Sequence, residues 1–569
     1  METAFSHKNV SLFAALLTAG LAAGWLLPNH YPPWLAFHAN ASVACMLLLI
    51  ALRGLYLTKR AINLTPTGLA LAFLATIPWI QHWTGQLPLR SDAALIFLCL
   101  CGAAFAYITA LHWSNADPLR PAIYVLSAMS IAAVISTGLA TYQWLGLAQD
   151  LGLMDIWVLP FSEGTRPYAN MGQPNQLASL LLCGLLGVAL GRHTGAIGNS
   201  LGLTLAAWIV WGVALTESRT ALLTLIIGIA FLTIKKPIFL KRQELRAYQI
   251  IFFFYLICFF GKSSLAQIIG FEMPLSILER STGELRIPLW KMAIDASLQS
   301  PWIGYGWGKS TIGYFNVFEN YRESFGNTYF ENSHNLILDI ALWIGWPLAI
   351  FILIPTIFWI YRALRCIDNT QKLLVFSAIM VLLIHAMLEF PLHYGYFLWP
   401  FCVLAGSLAV FFEKKLNVDF SITRPVASLL AAVFLLIETV VVIDYLKIEE
   451  SFSELRFQIS RIGTGHDETL PRTFFLTDWP NVIALARETP HEGMDEETIK
   501  HWQALMIYNT SPLAIRKVIG ANKLNGKETE ARAWASRTCW LLSEKACAGL
   551  YDEWPFTTKA KPTSHLPTD

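Results

Sequence analysis

Residues 335–361 read NLILDIALWIGWPLAIFILIPTIFWIY, an apolar run that follows the polar segment Glu331-Asn332-Ser333-His334. A helix needs about 20 apolar residues to cross the hydrocarbon core of a bilayer, so this run predicts a membrane span. His334 is then expected where the chain enters the membrane. An imidazole at that boundary can meet a lipid-borne and a water-borne molecule together, which makes His334 a candidate base.

The composition of the whole chain supports a membrane setting. Of its 569 residues, 55% are hydrophobic and 14% are charged, and the mean hydropathy is +0.48. A soluble protein of this size would carry about 25% charged residues. The sequence therefore predicts an integral membrane protein, and its net charge of +2 indicates no nucleic-acid partner.

Further apolar runs extend along most of the chain and predict an all-α, polytopic fold. Together with the run above they predict about thirteen transmembrane helices. The predicted spans lie near 10–27, 34–52, 66–83, 91–112, 120–147, 174–191, 199–215, 220–234, 247–260, 334–361, 373–389, 394–412 and 425–444.

The distribution of Lys and Arg predicts the orientation. With a cytoplasmic N-terminus, most of these residues fall in inner segments, whereas the short outer loops hold only Arg90, Arg166 and Arg219. An odd number of spans then places two regions outside: a long loop at 261–333 and the tail after 445. We accordingly expect a transmembrane domain at 1–444 and a small periplasmic, helical C-terminal domain at 445–569.

The tail contains two features that bear on its fold. Residues 512–543 form two amphipathic stretches around Leu524-Asn525-Gly526, reminiscent of a tetratricopeptide hairpin, which would be either a partner-binding module or a stabilising cap. Cys539 and Cys547 are a possible disulfide in an oxidising compartment. A continuous helix would hold them about 12 Å apart, too far to bond, so pairing requires the helix to end between them.

Two polar clusters in the outer loops are candidate binding elements. Gln173 and Asn175 precede or begin the sixth predicted span and could cap that helix or bind a sugar, with capping the favoured role for Asn175. Arg219 lies in the turn between two apolar helices, where an arginine normally has an anionic partner. That partner would be either Glu217 or a phosphate, which a guanidinium grips with two parallel hydrogen bonds.

A third cluster includes Arg280 and Arg286 in the long outer loop. Residues 286–299 predict a short amphipathic helix that holds Arg286 at the level of the lipid headgroups, with Trp290 and Trp302 as interface anchors. Glycines at 304, 306 and 308 suggest close backbone approach. Contact of Arg286 with lipid headgroups alone is an equally good interpretation.

The fourth cluster surrounds His334. Ser333 or Asn332 could cap the helix that follows, and a helix N-terminus favours a neutral, proton-accepting imidazole. An isolated histidine at a helix start is more often a cap or a surface residue. The segment Glu389 to Tyr394, which includes His393, is predicted on the same side of the membrane and strengthens the functional interpretation.

The order of these motifs resembles that of the PglL-type bacterial protein O-oligosaccharyltransferases, within the O-antigen ligase and polymerase superfamily. The similarity covers about 160–410. It is carried by Gly172 to Asn175, Ser218-Arg219-Thr220, Arg286 with Trp290, Gly304 to Trp307, Ser333-His334-Asn335 and Glu389 to Tyr394.

The resemblance implies en bloc transfer of a glycan from undecaprenyl-diphosphate to Ser/Thr hydroxyls of periplasmic, pilin-like proteins at a Gram-negative inner membrane. The scissile bond ends in a diphosphate, so the enzyme needs cations for the departing charge and a base for the hydroxyl. We expect Arg219 and Arg286 to supply the first and His334 the second, by inverting displacement.

We expect neither a metal nor a cofactor, because the outer loops contain no Asp-x-Asp pair and no spaced His/carboxylate set. Glu389 would orient His334, contact the acceptor or be purely structural. Other residues expected to bind or orient substrates are Arg166, Gln173, Asn175, Arg280, Asn335 and Tyr394.

Three other functions stay open. An O-antigen ligase would use the same chemistry on lipid A-core, and a polymerase would use another carrier-linked glycan as acceptor. A lipid-glycan transporter is less favoured, because transport sites lie near the bilayer midplane whereas the polar clusters are predicted at one face.

Overall fold

The computed structural model describes most of the chain. The described residues are 12–57, 61–113, 117–149, 156–160, 166–234, 242–270, 285–325, 328, 330–413, 421–539, 542 and 544–556. Arg280 and the rest of 271–284 lie outside them.

The described residues are overwhelmingly helical, as predicted. In chain order the helices are α1 Leu12–Leu26, α2 Phe37–Leu57, α3 Pro66–Trp83, α4 Arg90–Leu111, α5 Arg120–Trp144, α6 Pro174–His193, α7 Asn199–Leu215, α8 Arg219–Ile234, α9 Arg242–Ile269, α10 Arg286–Gln299, α11 Ser310–Val317, α12 Arg322–Phe325, α13 Leu336–Ile344, α14 Trp346–Arg365, α15 Thr370–Ala386, α16 Gly395–Ala409, α17 Arg424–Ile459, α18 Asp478–Arg487, α19 Glu496–Tyr508, α20 Pro512–Leu524, α21 Glu528–Cys539 and α22 Glu544–Glu553. Short 3₁₀ turns occupy Leu147–Gln149, Phe318–Tyr321 and Pro391–His393. Two short strands, β1 Ile62–Asn63 and β2 Ser421–Ile422, pair antiparallel with Ile62 opposite Ile422.

Seven of the described helices are long and apolar enough to cross a membrane, and five shorter helices are also apolar. The seven are Phe37–Leu57, Arg90–Leu111, Arg120–Trp144, Pro174–His193, Tyr248–Ile269, Trp346–Arg365 and Arg424–Ile459. The protein is therefore an all-α polytopic membrane protein. The count of thirteen spans stays a prediction.

The chain forms two compact units. Unit 1 comprises residues 1–72, 100–283 and 356–438, and unit 2 comprises residues 73–99, 284–355 and 439–569. The expected domain boundary at 444/445 falls inside the continuous helix α17 and stays a prediction.

The core of unit 1 is built around α5 and α6. Their contact depends on small residues: a Cβ on Gly184 would lie 2.4 Å from the Cβ of Ala133, and one on Gly187 would lie 2.2 Å from the Leu126 carbonyl oxygen. Small residues allow membrane helices to approach closely and to gain van der Waals contact. This packing holds α6 against α5, and several predicted site residues lie at the start of α6.

The core of unit 2 joins α10 to α13. Leu289 and Met292 of α10 pack in one buried cluster with Leu342 and Trp343 of α13. Helix α10 begins at Arg286 and ends at Gln299, which confirms the helix predicted over 286–299; its place at the level of the headgroups stays a prediction.

The predicted span at 334–361 is wrong in one respect, because the chain breaks at Gly345. Helix α13 ends at Ile344, and α14 begins at Trp346. Gly345 has φ +79°, and an added Cβ would lie 2.4 Å from the backbone carbon and oxygen of Trp302. The apolar pattern continues through the break, so hydropathy alone could not reveal it. Only α14 is long enough to span.

The segment around Gly304 confirms the expected close backbone approach. The amide of Tyr305 donates to the Leu342 carbonyl at 2.7 Å, and that of Gly306 donates to the Trp343 carbonyl at 3.1 Å. A Cβ on Gly304 would lie 2.5 Å from the Leu342 oxygen. The glycine segment thus binds the backbone at the end of α13.

The C-terminal region contains the predicted helix pair. Helices α20 and α21 pack together and are joined through Gly526, which has φ +77°. Cys539 and Cys547 are bonded, with their Cα atoms 4.9 Å apart. Because α21 ends at Cys539 and α22 starts at Glu544, the helix does end between the two cysteines. The likeness to a tetratricopeptide stays a prediction.

Candidate active site

The start of α6 reverses the expected roles of Gln173 and Asn175. Gln173 is extended, with φ −151°, and its side-chain oxygen accepts from the Gln176 amide at 2.7 Å, so Gln173 is the cap. Pro174 occupies the first turn, where its missing N–H costs nothing. Asn175 lies inside that turn, and its side chain bonds to residues outside α6 instead of capping the helix. The predicted cap at Asn175 was wrong.

Asn175 instead links two other parts of unit 1. It is 5% exposed; its amide nitrogen donates to Glu389 Oε1 at 3.1 Å, and its amide oxygen accepts from Ser218 Oγ at 2.7 Å. Ser218 Oγ also accepts from the Ala221 amide at 3.1 Å in the first turn of α8. The start of α6, the start of α8 and the segment after α15 are thus joined by one buried network.

Arg219 is the first residue of α8 and projects from this network. It is exposed on the protein surface, whereas Thr216, Glu217, Ser218 and Thr220 are all buried. A cation at a helix N-terminus faces several backbone N–H groups that also favour anions. An exposed arginine at a helix start makes this turn a candidate position for an anionic group.

The Glu217 carboxylate pairs with Lys262 of α9, a residue that the sequence reading missed. The Lys262 ammonium lies 3.2 Å from Glu217 Oε1, and the two side chains are only 6% and 7% exposed. Arg166 donates from Nη1 to the Glu217 carbonyl oxygen at 2.9 Å. The available signal was a lysine inside an apolar run, two residues beyond the predicted end of that span.

Glu389 and Tyr394 lie on either side of the 3₁₀ turn Pro391–His393. Glu389 is 5% exposed, and its amide donates to the His385 carbonyl at 2.9 Å at the end of α15. Tyr394 occupies the N-cap position directly before α16 and stacks with Tyr396, with ring centroids 5.2 Å apart. His385 is fully buried, and its Nδ1 lies 2.7 Å from Ser179 Oγ of α6. The carboxylate of Glu389 is thus held rigidly towards Asn175.

His334 lies in unit 2, one residue before the cap of α13. Asn335 is that cap, and its side-chain oxygen accepts from the Ile337 and Leu338 amides at 3.1 and 3.2 Å. The expected cap at Ser333 or Asn332 was wrong, because Asn335 has the extended conformation that a cap requires, with φ −152°.

The backbone of His334 is held in a left-handed conformation with φ +56°. Such a conformation costs a non-glycine residue about 1–3 kcal/mol and persists only where neighbours fix it. Here Ser333 Oγ donates to the Asn335 carbonyl at 2.8 Å, and the Ser333 amide donates to Asp339 Oδ1 at 2.8 Å. The imidazole is half-buried and contacts Phe330 edge-on, with ring centroids 6.2 Å apart.

A buried layer supports the His334 segment. Ser333 and Asp339 are fully buried, and Tyr314 of α11 is 3% exposed beside them. Burial raises the pKa of Tyr314 well above its usual range, and the Asp339 carboxylate adds to that rise, so the phenol stays protonated. Asp339 was not predicted as part of the site.

Arg286 begins α10, whose buried face packs against α13 in the same unit. Arg286 is half-buried, and Leu289 of the same helix is buried in the core. Trp302, the expected interface anchor, is 76% exposed. The elements that carry Arg286 and His334 are therefore directly packed together. Within the described residues, no cluster of His, Cys, Asp or Glu could hold a metal ion.

These features define a class of protein: an all-α membrane protein in which two arginines begin helices and a half-buried histidine precedes the cap of a third. Family models match three regions, by description an O-antigen ligase at 204–353, the C-terminal part of a virulence factor membrane-bound polymerase at 373–548 and a protein glycosylation ligase at 167–190.

Two relatives from Acinetobacter baylyi are similar over longer stretches. A general O-oligosaccharyltransferase is 30% identical over 416 residues, 71% of each chain. A ComP-specific O-oligosaccharyltransferase is 29% identical over 269 residues, which are 45% of this chain and 46% of the relative. The protein belongs to the bacterial O-oligosaccharyltransferase family, within the O-antigen ligase superfamily, and is a glycosyltransferase.

Proposed function

We propose that this protein transfers a preassembled glycan en bloc from undecaprenyl-diphosphate to Ser/Thr hydroxyls of periplasmic, pilin-like proteins. The observation that carries the proposal is the 30% identity, over 71% of the chain, to a general O-oligosaccharyltransferase. The second relative, by name specific for ComP, supports a protein acceptor. The membrane would be the Gram-negative inner membrane, with the N-terminus cytoplasmic and the active site periplasmic.

The leaving group defines the first chemical requirement. Cleavage at the anomeric carbon places negative charge on the departing diphosphate, and fixed cations stabilise that charge as it develops. We assign this role to Arg219, at the start of α8, and to Arg286, at the start of α10. A guanidinium grips a phosphate with paired hydrogen bonds that an ammonium cannot reproduce.

The acceptor hydroxyl defines the second requirement. In our proposal His334 takes the Ser/Thr proton as the hydroxyl oxygen attacks the anomeric carbon, which inverts that centre in one displacement. Its left-handed backbone and the buried contacts of Ser333 fix the segment that carries the imidazole, and a general base needs such a defined position. Asn335 fixes this position by capping α13.

The remaining predicted residues would shape the site. We propose that Glu389 and Asn175 orient the elements of the site, because their hydrogen bond joins the start of α6 to the segment after α15. Gln173 and Arg166 would support the same region through the cap of α6 and the Glu217 carbonyl. Tyr394 and Arg280 stay predicted substrate contacts. In this scheme the arginines take the charge-neutralising role that a metal ion has in other transferases.

Two other acceptors are favoured by specific matches. The family models described as O-antigen ligase and membrane-bound polymerase cover 204–353 and 373–548. The first would direct the glycan to lipid A-core and the second to another carrier-linked glycan. Both use the same donor chemistry and differ only in the hydroxyl that attacks.

Purified protein should therefore be incubated with carrier-linked glycan and, in separate reactions, with a pilin-like protein, lipid A-core or further carrier-glycan. We expect a mass increase of one glycan on the protein and no glycan added to the two alternative acceptors. Transfer to lipid A-core or chain growth without protein modification would refute the protein-acceptor proposal. Parallel reactions with EDTA test whether transfer is independent of metal ions. A loss of activity that a divalent cation restores would contradict that independence.

A further inference from the structure

A buried ion pair lies behind the proposed diphosphate site. Lys262 and Glu217 are both charged residues within apolar surroundings, and their side chains are 6% and 7% exposed. Desolvating two such charges costs free energy that their attraction does not fully recover. An apolar pair of similar size would therefore stabilise the fold at least equally. A buried ion pair that adds little to stability is therefore a candidate for a role beyond packing.

The pair holds a turn whose backbone is otherwise unfavourable. Glu217 has φ +49°, a left-handed conformation that residues other than glycine rarely adopt. Lys262 Nζ reaches the Glu217 carboxylate at 3.2 Å, while Arg166 Nη1 donates to the Glu217 carbonyl at 2.9 Å. Glu217 is thus held through both its side chain and its backbone.

Lys262 is itself fixed in place. Its ammonium donates to the Phe259 carbonyl at 2.8 Å and lies 4.7 Å from the centroid of the Phe259 ring. Arg219 follows Glu217 by two residues, and between them Ser218 is bound to Asn175 at 2.7 Å. A rigid connection therefore runs from α9 through Glu217 to the first residue of α8.

We propose that Lys262 is a positioning residue for donor binding, which acts by fixing through Glu217 the turn from which Arg219 projects. This inference rests on the proposed function, in which Arg219 binds the donor diphosphate. Lys262 does not touch the substrate. It holds the guanidinium where the diphosphate arrives, and a displacement of about 1 Å in such a group can cost a large factor in rate.

The test compares three substitutions at the pair by donor KM, acceptor KM, kcat and the Kd for carrier-linked glycan. Lys262→Met should raise the donor KM and Kd about tenfold and leave the acceptor KM unchanged. Lys262→Arg keeps the cation and should restore most of the donor affinity. The double variant Lys262→Met with Glu217→Gln buries no charge at this pair and should fold. It should still bind donor weakly, because the contact between residues 262 and 217 is absent.

Lys372→Met is the matched control. Lys372 is a buried lysine of the same unit, 2.7 Å from Asp368, at the opposite end of α15 from Glu389. Its loss should lower Tm in detergent without changing the donor KM. If Lys262→Met and Lys372→Met behave alike, or if the uncharged double variant binds donor normally, the pair is only structural and the proposal is wrong.

A second comparison separates this proposal from the function on which it rests. In an Arg219→Ala background, Lys262→Met should cause no further rise in the Kd for carrier-linked glycan, because its effect passes through Arg219. Additive losses would overturn the positioning role. If Arg219→Ala alone leaves donor affinity unchanged, the assignment of Arg219 in the proposed function fails first.

Discussion

The side chains proposed to act on substrates occupy short polar turns, whereas their supports lie in buried layers. Arg219 is exposed while its four neighbours in the turn are buried, and His334 is half-buried above fully buried Ser333 and Asp339. This arrangement separates two tasks. The outer residue can exchange partners during a reaction while the inner residues hold its backbone, as preorganised electrostatic catalysis requires.

Substitution of His334 tests its role as the base. We expect His334→Asn and His334→Ala to bind carrier-linked glycan normally but to lower single-turnover transfer by about 10²–10⁴-fold. Asparagine tolerates the left-handed backbone at this position and so separates lost chemistry from relaxed strain. His491→Ala, at an exposed histidine bonded to the Glu492 carbonyl, is the control. Near-normal transfer by His334→Asn would eliminate the assignment.

The arginines should differ from other basic residues in how they tolerate lysine. Arg219→Ala and Arg286→Ala should each lower transfer by about 10²–10³-fold, the cost of removing one fixed donor from a developing anion. Lysine should rescue poorly, because it cannot reproduce the paired hydrogen bonds. The measurement is kcat/KM for the donor, with Arg192→Ala, whose Nε donates to Asn199, as the control. Full activity in both alanine variants would show that these arginines do not bind the diphosphate and only contact lipid headgroups.

At the scale of elements, sequence reasoning succeeded where periodicity or residue type forces a structure. Helix α10 begins and ends at the predicted residues, and Gly304 and Gly306 after it do approach the α13 backbone, whereas a Cβ on Gly308 would meet no atom within 4 Å. It failed where tertiary contacts decide. Pro174, a residue favoured at the first helical position, was a local signal for Gln173 as the cap, but no local feature could reveal that Asn175 binds Glu389 and Ser218. Lys262 and Glu217 are far apart in sequence, so their pairing could not be predicted from either segment.

The break at Gly345 is the clearest consequence of tertiary structure at this scale. Gly345→Ala should lower Tm in detergent, because an alanine there pays about 1–3 kcal/mol for its backbone conformation and would also contact Trp302 at 2.4 Å. The His334 segment should become less ordered, with slower transfer. Gly138→Ala is the control, since a Cβ there meets no atom within 4 Å. An unchanged Tm for Gly345→Ala would show that the α13–α14 break is not required.

At the scale of the whole molecule, the proposed mechanism requires its parts to face one compartment. The expected orientation follows from the excess of Lys and Arg in the predicted inner segments. Reporter fusions or cysteine labelling should place residue 240 in the cytoplasm and residues 310 and 480 in the periplasm. The disulfide between Cys539 and Cys547 is compatible with an oxidising compartment for the tail. A cytoplasmic residue 310 would separate His334 from a periplasmic acceptor, because α11 and α13 pack in one unit. That single result would sink the catalytic scheme while leaving the family assignment intact, since sequence identity does not depend on orientation.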